Sequence, residues 1–172
     1  MASLMEELIS VLEEENSEYE KLSALSMKKT PVIISASLEE LQKITDEEQD
    51  IVSRIHNLDR KREGNMKDIA NVINRDVKEL KLGVLVDLLH ARPMEQKKLA
   101  MIHDKLKDTI SQMVRTNEQN NELIKSSLEM VQFNMNLLQA MKTAPESANY
   151  TKAAYNSGDV IGSGTGTFDA KQ

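Results

Sequence analysis

The sequence predicts an all-α fold: an elongated antiparallel helical bundle, close to a coiled-coil-like hairpin, followed by a flexible C-terminal tail. Apolar residues recur every three or four positions through residues 4–22, 38–58 and 99–141, the helical period. Only six Gly and three Pro punctuate the 172 residues, so long uninterrupted helices fit. Aromatics make up 3% of the chain, too few for a large globular core.

The first helix is expected over about 3–29. Leu4, Leu8, Leu12, Tyr19 and Leu22 form its stripe, and Ser3 with Glu6 and Glu7 reads as a capped, acid-rich first turn. Pro31 disfavours helical geometry at Thr30, so "TPVIISA" reads as a connector. Ser37 followed by Glu40 reads as a capping box opening a helix over about 38–74. Its stripe runs through Leu38, Leu41, Ile44, Ile51, Ile55 and Leu58 and resumes through Ile69 and Ile73. A kink or break is expected at Gly64, which costs about 1 kcal/mol in a helix interior. A short helix is expected over about 84–90. Pro93 suits the first turn of a last helix over about 93–142, closed by Pro145. The chain thus divides into a helical body, 1–142, and a tail, 143–172, rich in Ser, Thr, Gly, Asn and Ala.

Charge and composition exclude several classes of function. The net charge is −6, and the first 20 residues hold seven Glu and no base. Phosphate binding needs clustered Lys and Arg, so no nucleic-acid partner is expected. There is no cysteine and therefore no disulfide or thiolate chemistry. No apolar run approaches the roughly 18 residues of a membrane span, and the acidic start is unlike a signal peptide. The expected location is cytoplasmic, without membrane insertion. Asp87 and His90 stand three apart on an expected helix, but a metal site in a bundle needs several such contributions. No metal, cofactor or catalytic residue is expected, and no H-E-x-x-H, G-x-S-x-G or phosphate-loop sequence occurs. Gly162, Gly164 and Gly166 imitate a dinucleotide fingerprint, but Thr167 replaces the third glycine and no helix follows.

The last helix changes character along its length. Leu99, Ile102, Leu106, Ile110 and Met113 fall within about 80° of each other, one core stripe. Beyond them, Ile124, Leu128, Val131, Met135 and Leu138 continue that stripe. Leu123, Met130, Phe133, Leu137 and Met141 form a second group about 130° away. Gln132, Asn136 and Gln139 mark the polar strip that remains. One neighbouring helix cannot cover both groups. Either the helix packs between two others, in a wide core or homodimer seam, or one face is offered to another protein's amphipathic helix. Six of the ten Met lie in this helix, and Met adapts to varied partners. Asn117, Asn120 and Asn121 interrupt the pattern, as register-fixing core polar residues or as solvated surface. In the tail, Tyr150, Tyr155 and Phe168 are three of the five aromatics and read as short docking points.

"LQKITDEEQDIVSRIHNLDRKRE", "NNELIKSSLEMVQFNMNLL" and "YNSGDVIGSGTG", in that order, resemble segments of the FlgN family of flagellar export chaperones. The resemblance implies a chaperone that binds the C-terminal helices of hook–filament junction proteins. It would prevent their premature assembly and deliver them to the cytoplasmic domain of the export gate. It implies client binding within 121–141, coinciding with the second apolar group: Leu123, Met130, Phe133, Leu137 and Met141. It implies gate docking by a tail tyrosine, Tyr155 by motif, with Tyr150 competing. The alternatives are a client-free coiled-coil scaffold, a homo-oligomeric structural protein and a helical axial component of the flagellum.

Overall fold

In the computed structural model, residues 2–143 are described. They form four helices, α1 (Ala2–Ile34), α2 (Leu38–Ile73), α3 (Leu82–Leu88) and α4 (Pro93–Thr143), with no strand among the described residues. The chain divides into two units, Met1–Val131 and Gln132–Gln172.

Cross-helix pairs fix the directions within the first unit. Glu15, Glu18 and Lys29 of α1 meet Arg62, Arg54 and Glu48 of α2, so these helices are antiparallel. Asn16, Ser26 and Thr30 meet Thr109, Asn117 and Asn120, so α4 runs parallel to α1. The first unit is an up–down–up bundle, with α3 and its flanking turns carrying the chain from α2 into α4. Its main core gathers Met5, Leu8 and Leu12, Ile69 and Ala70, Leu85 and Leu89, and Leu99, Ile102 and Leu106. A smaller cluster joins Leu22 and Leu25 to Ile51 and Ile55, with Tyr19, Ile44 and Met113 packed against it.

Several local expectations are corrected. α1 does not stop before Pro31 but runs through it to Ile34. Ile33 is buried beyond the proline, and that burial holds the last turn despite the missing N–H. The chain then reverses in a Schellman turn: Ser37 N–H donates to the Val32 carbonyl and Ala36 N–H to that of Ile33. Ala36 takes the left-handed conformation, φ 54°, that glycine ordinarily fills. Ser3 lies inside α1 rather than capping it, and Ser37 precedes α2 without a side-chain capping bond. Gly64 neither kinks nor breaks α2, because Asn65, Met66, Ile69 and Ala70 beyond it are buried. Leu38, at the head of the expected stripe, is exposed. α2 ends in a second Schellman turn, with Asn74 at φ 51° and Arg75 N–H donating to the Ala70 carbonyl. α3 begins two residues earlier than expected and ends at Leu88, which leaves His90 outside it.

Candidate functional site

The helix that carries the predicted site is anchored in three different ways along its length. Leu99, Ile102 and Leu106 are buried in the main core, and Gln96 ties α4 to α3 by donating to the Val86 carbonyl at 3.0 Å. Next, α4 is held to α1 through polar groups. Thr109 Oγ1 donates to Asn16 Oδ1 at 3.1 Å, and Lys105 pairs with Glu20 at 2.9 Å. Three turns further, Asn120 is almost fully buried. Its Nδ2 donates to the Ser26 carbonyl at 2.8 Å, while its Oδ1 accepts from Thr30 Oγ1 at 2.7 Å. Ser26 Oγ donates to Asn117 Oδ1 at 2.9 Å. Buried polar groups are costly unless paired, so this set accepts one alignment of α4 on α1. Of the two readings open for these asparagines, the core one holds for Asn120, while Asn117 is half-buried and joined to Ser26. Asn121, by contrast, is exposed.

After Asn120 the anchoring fades. Leu123 and Ile124 are half-buried. From Leu128 onward every large apolar side chain of α4 is at least half exposed: Met130 66%, Phe133 66%, Leu137 50% and Met141 68%. Leu128, Val131, Met135 and Leu138, expected to continue the core stripe, are equally bare at 51–64%. The periodicity expected at most one face to be free; neither face is covered among the described residues. Positions 130–141 carry no charged residue. Leu123 therefore differs from the other four candidates, being partly engaged already. Tyr150, Tyr155 and the glycine run lie outside the described residues.

Sequence reasoning missed the α1 half of the polar seam. Asn16, Ser23, Ser26 and Thr30 sit where the stripe through Leu12, Tyr19 and Leu22 would place apolar residues, and that substitution was the available signal.

The remaining charges support the bundle. Burial pushes the Glu15 carboxyl above the ordinary glutamate range, opposed by the Arg62 guanidinium 3.1 Å away, which also pairs with Asp59. Glu18 is pushed up by partial burial, but hydrogen bonds from Lys21 and Arg54 outweigh it and leave the carboxyl lowered. Among the described residues, no group of three or more His, Asp or Glu could hold a metal ion. Asp87 and His90 are both exposed. No helix among the described residues is long and apolar enough to cross a membrane.

The family model described as FlgN protein matches residues 1–158. The chain belongs to the FlgN family. Comparison with curated proteins and with solved structures gives no match. Membership makes this protein a chaperone of flagellar export substrates and not an enzyme. A FlgN chaperone works by binding protein surface, which is the chemistry that an uncharged, unpartnered helix segment offers.

Proposed function

We propose that this FlgN protein is the cytoplasmic chaperone of flagellar hook–filament junction proteins. It binds their C-terminal helices, prevents premature assembly and delivers them to the export gate. The client helix lies along α4 against Met130, Phe133, Leu137 and Met141, with Leu123 at the edge of the contact. Tyr155 then docks on the cytoplasmic domain of the gate. The observation that carries this reading is the bare, uncharged run from Met130 to Met141. Each such side chain contributes about 1.5–3 kcal/mol when fully buried, before ordering costs, which suffices for micromolar or tighter binding.

The test is calorimetric titration with a C-terminal segment of a junction protein. Phe133→Ala with Leu137→Ala should weaken binding at least tenfold and leave helicity unchanged, because both side chains are solvated in the free protein. Unaltered affinity would sink the face assignment. Tyr155→Ala should spare client binding and reduce gate docking. The rival reading, a client-free homo-oligomeric scaffold, requires the same side chains to be buried between copies. A concentration-independent oligomer in light scattering would favour it.

A further inference from the structure

Methionine supplies the only sulfur in this chain, which has ten Met, no cysteine and no tryptophan. Two-electron oxidants such as hydrogen peroxide therefore react first at thioethers, and at the exposed ones before the buried ones. The structure sorts the methionines sharply. Met5 and Met66 are 0% and 9% exposed, sealed in the main core. Met130, Met135 and Met141 are 66%, 51% and 68% exposed, on the bare end of α4. We propose that Met130, Met135 and Met141 are a reversible oxidation site through which peroxide closes the chaperone to its client. The inference rests on reading this stretch as the client surface and adds a control on its use.

The oxidation needs no catalytic group. A sulfur lone pair attacks one peroxide oxygen, the O–O bond breaks and an S–O bond forms. The departing hydroxide takes the proton of the transferred hydroxyl and leaves as water. The thioether has lost two electrons and the peroxide has gained them. Methionine sulfoxide reductases, one for each sulfoxide epimer, reverse the change. They oxidise a dithiol to a disulfide and release the oxygen as water. The effect on binding follows from where the sulfurs sit. A sulfoxide oxygen is a strong acceptor, and burying it against an apolar client stripe without a donor forfeits its hydration. Positions 130–141 carry no charge, so apolar burial is what they offer a client. The three side chains belong to neither buried cluster, so their oxidation leaves the bundle folded. A bound client covers them. Peroxide therefore acts on empty chaperone and withholds loading.

The experiment oxidises the full chain with hydrogen peroxide, removes the peroxide and maps sulfoxides by peptide mass spectrometry. The junction-protein segment is then titrated calorimetrically. Sulfoxide at Met130, Met135 and Met141 should accumulate at least tenfold faster than at Met5 and Met66. Client affinity should fall at least tenfold with helicity unchanged, and treatment with both sulfoxide reductases should restore it. Met27, Met94 and Met101 are also open, at 51–74%, but lie outside this stretch. A chain with Met27→Leu, Met94→Leu and Met101→Leu should lose affinity on oxidation as the native chain does. A chain with Met130→Leu, Met135→Leu and Met141→Leu should change less than twofold against its own untreated affinity. Native affinity that survives oxidation of all three sulfurs overturns the inference. So does a loss that disappears when Met27, Met94 and Met101 are replaced. Both of those outcomes leave the untreated chain binding its client. An untreated chain that does not bind the segment brings down the client reading and this inference together.

Discussion

Asn120 shows what one side chain can decide. It is buried and bonded through both ends of its amide, so removing it takes one donor from the Ser26 carbonyl and leaves the Thr30 hydroxyl only its longer contact to that carbonyl. Asn120→Ala should cost about 1–3 kcal/mol in urea unfolding, and Thr30→Val about 1 kcal/mol. A double-mutant cycle should return a coupling of about 1 kcal/mol, since the two share one hydrogen bond. Glu15 makes a prediction of the opposite kind. Its carboxyl is raised by burial, so the folded chain holds the proton more tightly than the unfolded one. Its contribution is fullest below the ordinary value near 4.5 and is lost as pH rises through the higher folded value. Glu18 and Glu20 are lowered, so theirs is present above that value and lost as pH falls through the lower folded ones. Glu15→Gln should therefore flatten the decline of stability above about pH 4.5 and leave the acid-side loss intact. Thermal melts from pH 3 to 8 check it, and an unchanged slope on the neutral side would contradict it.

Helices were largely legible as helices, and their ends were not. Pro31 and Gly64 are the two places where local rules predicted a stop, and both lie inside continuous helices. In each case buried side chains follow within a turn or two, Ile33 after the proline and Met66 after the glycine, and burial outweighs a propensity cost of about 3 kcal/mol at the proline and about 1 kcal/mol at the glycine. The chain has glycine where a helix wants alanine, and alanine where a turn wants glycine. Nothing lies within 4 Å of a Cβ added at Gly64. Gly64→Ala should raise stability by about 0.5–1 kcal/mol. Ala36→Gly, which relieves a left-handed alanine, should act in the same direction by a similar amount. Denaturation midpoints with unchanged m-values test both. In α4, periodicity disclosed both apolar groups but not whether anything covers them, because a pattern records a face and not its neighbour.

Across the molecule, stability is distributed unevenly. The main core draws on all four helices, from Met5 to Leu106, and a smaller cluster extends it along α1 and α2. The described residues after Ile124 have only the α4 backbone ladder to protect them. Hydrogen exchange should show amides at 5–12, 66–70 and 99–106 opening only with global unfolding. Those at 128–141 should exchange at least a hundredfold faster and slow on addition of a client helix. Equal protection along α4 would contradict this distribution. The family's sequence features were legible across most of the chain, whereas the site's free state was not.

The position of the core along the chain also sets an order of events during synthesis. The last residue that the main buried cluster needs is Leu106, and the bare stretch of α4 begins at Leu128. At ribosomal rates of about 5–20 residues per second, those 22 positions give the bundle a head start of roughly 1–4 s. A nascent FlgN chain can thus close its main core before the bare stretch of α4 has been made.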